Sequence, residues 1–410
     1  MINKMKILKS SIFPSFIIFL LVFSEIFVNH FELLKYMDEI VTIIMFIYII
    51  YVFGFKKVKI KDEIRKILIL YLLIILIGII SNFFSNLQNN YIYILYDILT
   101  FSKIIITPIA FSLMINKRNA EDIIKINCYF SKMFLIIGFV CSIVSLFVNI
   151  GMRGHEARYG INSFTFIFKY EHIYSMMVLY SLLMVKMNNK NKKNLLYIII
   201  SAIQMILTTK GPSIIWAISV FAMIFFMNNK KRKVSILLIV TLSCITILFG
   251  RYQIETYLKN ENSPRMILYK YGFITAKKYF PLGSGFATYG SDMAAKHYSE
   301  LYRKYGFDNM YGMSDDNIDF LKDCYWPMIM GQFGFIGLII GVLILYNFYK
   351  IIIDNKMERF NKAIVFSVFF YTILHSLGSS TLTTSTAVLL YIGIATSLKS
   401  YEFQLESEKI

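Results

Sequence analysis

Charge is scarce in this 410-residue chain: Asp, Glu, Lys and Arg together make up 17% of it, where soluble domains carry about a quarter. That shortage excludes an ordinary water-soluble domain. Acidic residues are the scarcer kind, 25 against 43 Lys and Arg, and the net charge is +18. Only four cysteines occur, Cys128, Cys141, Cys244 and Cys324, and their scatter has none of the spacing of a metal site, so they read as packing residues. There is no low-complexity tract, and no internal repeat of the kind many transporters carry. The first apolar run follows a basic start but lacks a small-x-small cleavage site and leads straight into further apolar runs. It is expected to be the first membrane helix rather than a cleaved signal.

What the chain has in abundance is apolar sequence, 57% of residues with a mean hydropathy of +0.59. Runs of about 15 to 24 apolar residues recur along the whole length, and about 20 suffice to cross a hydrocarbon core as a helix. They fall near 12–28, 39–55, 67–85, 92–115, 129–150, 163–185, 194–208, 212–228, 234–250, 326–348, 362–379 and 383–398. The expectation is an all-α integral membrane protein of about twelve transmembrane helices, with one long external loop between helices 9 and 10.

The basic residues support this layout and argue against nucleic acid, which would gather them on one face. Clusters at Lys4 to Lys9, Lys56 to Lys66, Lys117 to Lys125, Lys186 to Lys193, Lys230 to Lys233 and Lys350 to Lys362 all fall on one side of a twelve-span chain with both termini in the cytoplasm. Three parts follow: helices 1 to 9 over 1–250, an external cap over 251–325, and helices 10 to 12 with a cytoplasmic tail over 326–410. A loop of the cap's length without structure is unusual, so short helices are expected inside it. The best placed is 263–279, where Ser263 and Pro264 suit a helix start and Ile267, Tyr271 and Ile274 form an apolar stripe.

Basic residues on external loops break the charge pattern and call for a reason. Arg153 and Arg158 lie in GMRGHEARYGIN, Lys210 in TTKGPS, and Arg265 and Lys270 in SPRMILYKYGF. Each is either a tolerated surface charge or part of a site for an anion at the outer leaflet, such as a lipid-linked diphosphate, whose oxygens match the Arg fork. Lys169, Glu171 and His172 in span six, and Asp97 and Lys103 in span four, are intramembrane ionisable residues and so functional candidates, or partners in internal ion pairs. His375 reads as a packed histidine. Tyr298, Tyr302, Tyr305 and Tyr311 could stack on sugar rings or pack the cap.

The run YFPLGSGFATYG, residues 279–290, superficially suggests a phosphate loop. The third glycine is displaced from a dinucleotide fingerprint, no strand precedes the run, no GK[ST] follows, and it lies on the external side. Nucleotide binding is not expected.

Taken in order, TTKGPS, SPRMILYKYGF, YFPLGSGFATYG and SDDNIDFLKDCYWPMIMGQFGFIG resemble the O-antigen polymerase and ligase superfamily, most closely the bacterial capsular or exopolysaccharide repeat-unit polymerases. The resemblance covers about 150–345 by motif and the rest by span layout, and implies a GT-C-like membrane fold. Lys210 stands where ligase-type members have an Arg, Arg265 matches a second Arg, and counting back from Gly334 and Gly337 puts Asp323 where they have a His.

The activity implied is inverting, metal-independent transfer of an undecaprenyl-diphosphate-linked glycan on the external face of the cytoplasmic membrane, with no cofactor. Arg265 and Lys210, supported by Arg153, Arg158 and Lys270, would hold the diphosphate, and Asp323 would be the base. Asp315, Asp316 and Asp319 compete for that last role. The bilayer, the lipid-linked oligosaccharide, a chain-length regulator and a flippase are the implied partners. A ligase and a lipid-linked oligosaccharide flippase are the rival readings.

Overall fold

A computed structural model describes residues 9–28, 30–56, 60–189, 194–228 and 263–402. Helix α1 runs Lys9–Phe27, α2 Met37–Phe55, α3 Asp62–Ser85, α4 Tyr91–Met114, α5 Lys117–Phe147, α6 Glu171–Asn188, α7 Leu195–Leu207 and α8 Gly211–Asn228. After the cap come α12 Tyr325–Ile353, α13 Arg359–Ser376 and α14 Ser385–Lys399. Starts are set by side chains that satisfy the open amides of the first turn. Asn90 accepts from the Ile92 N–H, Asn116 from Asn119 and Thr384 from Ala387.

Six of these helical stretches are long and apolar enough to cross a membrane: 10–27, 32–55, 62–85, 91–114, 117–147 and 325–353. Their burial agrees with a lipid surrounding. On α3, Ile67, Tyr71, Ile74 and Gly78 face inward at helical spacing, while Leu72, Leu76 and Ile79 stay exposed. Exposed apolar faces of this extent are stable only against a bilayer or a partner. The protein is therefore a helical membrane protein.

The twelve-span layout meets the structure unevenly. Helices α7 and α14 and the described start of α8 are apolar but shorter. The span expected at 234–250 lies outside the described residues. The span expected from 163 begins only at Glu171, because residues 153–164 form an antiparallel hairpin, β1 Arg153–Arg158 with β2 Ile161–Phe164. Glu171 and His172 thus open a helix rather than sit within a span, and Lys169 is exposed ahead of it, its ammonium 5.1 Å from the Tyr170 ring centre.

The described part of the cap, 263–324, carries three short helices, α9 Pro264–Lys278, α10 Asp292–Lys296 and α11 Glu300–Lys304. It has a core of its own, built from Leu268, Tyr289, Tyr298, Leu301, Tyr302 and Phe307 among others. Ser263 caps α9 with Pro264 in its first turn, as expected. Its buried stripe is rotated from the expected one, however: Ile267, Leu268, Gly272, Thr275 and Ala276 face inward, and Ile274 faces out. Gly272 explains the rotation. A Cβ there would stand 3.0 Å from the Pro327 carbonyl, so the glycine lets α9 cross α12 at close range.

The run 281–290 fills a gap between α3, α4 and α12. Helix α12 is broken at Gly334, with φ 65° and ψ −165°, which uncovers the carbonyls of the turn before it. The Ser284 and Gly285 amides bond to the Gly331 and Gln332 carbonyls at 3.0 and 2.8 Å. The Phe286 N–H goes to Asn82 Oδ1 and the Ala287 N–H to Asp97 Oδ2, while the Asn82 amide donates back to the Phe286 carbonyl. Irregular backbone packed among helices needs its polar groups met within the protein, and these amides are.

Candidate functional site at the cap end of the helices

At the end of the helix bundle that carries the hairpin and cap, four segments far apart in sequence converge. Lys210 directly precedes α8, its ammonium 3.5 Å from Glu171 Oε2 at the start of α6. Glu171 is also held by the Ser163 hydroxyl from β2 at 2.6 Å, and the buried Arg158 of β1 adds its positive field. Gly154 explains how the hairpin comes so near, since a Cβ there would fall within 2.6 Å of Glu171 Oε1.

Arg265 lies in the first turn of α9. Tyr269, one turn on, donates its hydroxyl to the Leu377 carbonyl at 2.7 Å. That bond holds the start of α9 against the turn after α13, where the Arg265 guanidinium stands 3.6 Å from the position a Cβ on Gly378 would occupy. The guanidinium thus packs against this turn at ordinary contact distance.

Asp323 is in the short segment between the cap and α12. Burial holds its carboxyl above the usual carboxylate range; the positive charges of Arg265, Lys210 and Lys322 oppose this, and Asp319 adds to it. A carboxylate raised in this way is a better proton acceptor than an exposed one. The fields of Lys210 and Arg265 reach both Asp323 and His375 of α13, and the His375 ring lies 5.8 Å from that of His172. The structure therefore groups Lys210, Arg265 and Asp323 with Glu171, His172 and His375.

Several expected participants stand elsewhere. Arg153 donates from Nε to the Ser145 carbonyl at 2.9 Å and from Nη2 to the Ser145 and Leu146 carbonyls. It closes the end of α5, where open carbonyls attract a cation. Lys270 is exposed on α9, its ammonium 6.0 Å from the Tyr271 ring centre. Five positions from Arg265, it is turned about 140° round the helix.

Asp316 and Asp319 are exposed, and Asp315 pairs with Arg303 at 2.9 Å. Tyr302 is wholly buried and its hydroxyl accepts the Gly290 N–H at 2.8 Å, so it offers no face to a sugar. Tyr298 is buried as well, and only Tyr311 of the four is widely exposed. In the membrane helices, Lys103 pairs with Asp38 and Glu39 of α2 at 2.7 and 2.5 Å, whereas Asp97 meets the Ala287 amide and Gln332.

The cysteines act as packing groups where they are described. Cys128 and Cys324 are buried and unpaired, burial pushes the Cys324 thiol up to about 12, and Cys244 lies outside the described residues.

Two contributors were not legible in sequence. His375 looks like any helix histidine until Arg265 is seen beside the turn that follows it. Tyr269 carries no motif, and only its bond to the Leu377 carbonyl shows its part.

No protein-family model matches the chain, and comparison with curated proteins finds none that is similar to it.

Proposed function

We propose that this chain is a polysaccharide polymerase of the bacterial cytoplasmic membrane, joining undecaprenyl-diphosphate-linked oligosaccharide repeat units on the external face. The observation that carries the reading is the shared electrostatic neighbourhood of Lys210, Arg265 and Asp323, three residues brought together from distant parts of the chain.

The chemistry follows from their charges. A hydroxyl of the acceptor sugar gives its proton to the Asp323 carboxylate while its oxygen attacks the anomeric carbon of the donor glycan. The bond from that carbon to the diphosphate breaks, and the lipid diphosphate leaves with the electron pair, so the anomeric centre inverts. Charge grows on the leaving oxygens, and fixed cations aimed at growing charge are the strongest means of lowering such a barrier. Arg265 fits this task through its fork of donors and Lys210 as a point charge. Glu171, whose carboxylate Arg158 helps to stabilise, keeps Lys210 in place, so Glu171 positions rather than reacts.

Purified protein in lipid bilayers, given lipid-linked repeat units without nucleotide, is expected to yield a ladder of longer lipid-linked glycans. Arg265→Ala should slow this by about 10²–10³ at an unchanged level of folded protein. Transfer of one glycan to a different acceptor would make the chain a ligase, and passage across the bilayer without growth would make it a flippase. Either outcome overturns the proposal.

A further inference from the structure

A partly open cavity of about 820 Å³ lies at the end of the helix bundle away from the cap, between α3, α4, α12 and α14. Its place follows from the packing. The connection 86–90 joins α3 to α4 at the cap end, yet α3 packs chiefly on α12, and α4 on α2 and α14. A wedge is left between the first turn of α3 and the last turns of α4, and Ile64, Pro108, Leu113, Ile351 and Ile394 give it apolar walls. From Met114, the end of α4, it reaches back to Pro108, about 9 Å at roughly 1.5 Å per residue.

Polar side chains among these walls are used within the protein. Ser112 donates to the Ile109 carbonyl at 2.8 Å, Asn355 to the Leu398 carbonyl at 3.2 Å, and the Tyr391 hydroxyl meets that of Thr372 at 3.2 Å. Apolar cavities stay dry, and an empty gap forfeits the dispersion contacts of its lining. In a bilayer, an acyl chain is the molecule at hand to fill it.

The rim stands at the level of the helix ends and carries charge of both signs. Glu402 accepts from Lys61 and Lys399 at 2.6 and 2.7 Å, Asp62 pairs with Arg65 at 3.0 Å, and Lys356 and Asp354 complete the rim. Two ammonium groups on one carboxylate keep donors to spare, since each has three, and these suit a phosphodiester. Counted with Arg65 and with Lys362, which donates to the Ile353 carbonyl, the rim has five cations and three carboxylates. The C-terminal ends of α4, α12 and α14 against the N-terminal end of α3 alone take back about one charge, at about half a charge each. About one positive charge remains, enough for one phosphate and too little to demand a second negative charge.

We propose that this cavity is a site for one glycerophospholipid, its phosphodiester on Lys61 and Lys399 and the first part of an acyl chain along Ile64, Leu113 and Ile351. The lipid fills the wedge that α3 and α4 leave open. The site lies at the other end of the helices from Arg265 and Asp323, so it does not depend on the glycosyl-transfer reading. Ala395, half-buried on the α14 side of the cavity, gives the cleaner variant: Ala395→Phe adds a ring to the space and removes no contact. Lys61→Gln is the second, because Lys399 still holds Glu402 and an ion pair as exposed as that of Lys61 adds little to stability.

The test is native mass spectrometry of the full-length protein, delipidated in detergent and titrated with dioleoyl phosphatidylglycerol, dioleoyl phosphatidylethanolamine or, as a phosphate-free control, dioleoylglycerol. The first phospholipid should bind about tenfold more tightly than later ones, with the two headgroups within about threefold of each other. The control should bind about tenfold more weakly, as for loss of a charge-assisted hydrogen bond. Ale395→Phe should abolish the tight site with the melting temperature of the lipid-free protein unchanged or raised, and Lys61→Gln should weaken it about tenfold. The proposal is overturned if no lipid binds more tightly than the rest, if the control binds as well, or if neither variant changes the first binding step. Replacing Phe403 and Leu405, which follow Glu402 of the rim, by Ser should leave binding unchanged. A rise would assign the cavity to the chain's own C-terminal segment and overturn the proposal as well.

Discussion

The glycine run at 281–290 lies in sequence between Arg265 and Asp323 of the Lys210, Arg265 and Asp323 cluster, yet the run and the cluster use their polar groups in opposite ways. In the run, the amides of Ser284, Gly285, Phe286, Ala287 and Gly290 all end on other parts of the protein. In the cluster, charges from separate segments are gathered around a carboxyl that burial has made more basic. The first arrangement holds a broken membrane helix together. The second is suited to act on something else. Substitutions should therefore separate the two, costing stability in one and activity in the other.

The largest effect is expected at Gly285. Its φ is +94°, and a Cβ would lie 2.6 Å from the Asn82 backbone nitrogen. Gly285→Ala should cost roughly 3 kcal/mol or more, read as loss of the monodisperse peak in fluorescence-detected size-exclusion chromatography. A variant that stays folded and loses only activity would break the comparison.

Asp323→Asn should do the reverse, lowering the transfer rate by about 10²–10⁴ while stability holds. The sign follows from its raised carboxyl. Between its ordinary value of 3.8 and the higher folded value, the folded state keeps a proton that the unfolded state has released. Stability thus falls as pH rises through that window, and the Asn variant should lose this dependence. In the native protein the transfer rate should climb with pH through the folded value, which a pH–rate profile checks.

Smaller effects sharpen the boundary between cap and site. Tyr302→Phe leaves the Gly290 N–H without its acceptor and should cost about 1–3 kcal/mol in thermal unfolding, with the length of the glycan ladder unchanged. A shortened ladder at full stability would restore a sugar-binding role for Tyr302. Lys270→Ala, on an exposed face, should move stability by no more than about 0.5 kcal/mol and leave the transfer rate alone in the same assay.

How much of the site could be read beforehand depends on what each residue interacts with. Ser263 and Pro264 announce the start of α9 because capping is local. Gly272 inside that helix has no local reason, because its reason, the crossing with α12, is 55 residues away in Pro327. Arg153 and Arg158 look alike in sequence, but one closes the end of α5 and the other faces Glu171, and only the fold of the hairpin separates them. Tyr302 and Tyr311 likewise differ only in which side of the cap they face.

The sequence by itself determined that the chain is a helical membrane protein, since apolar run length and scarcity of charge report directly on transfer into lipid. It also determined where α9 starts. The tertiary structure alone decided where the glycine run goes, which of the basic residues act on one carboxyl, and that Asp323, half-buried where its acidic neighbours Asp315, Asp316 and Asp319 are exposed, is that carboxyl. Those outcomes depend on contacts between residues tens to hundreds of positions apart, and such contacts leave no period or motif along the chain.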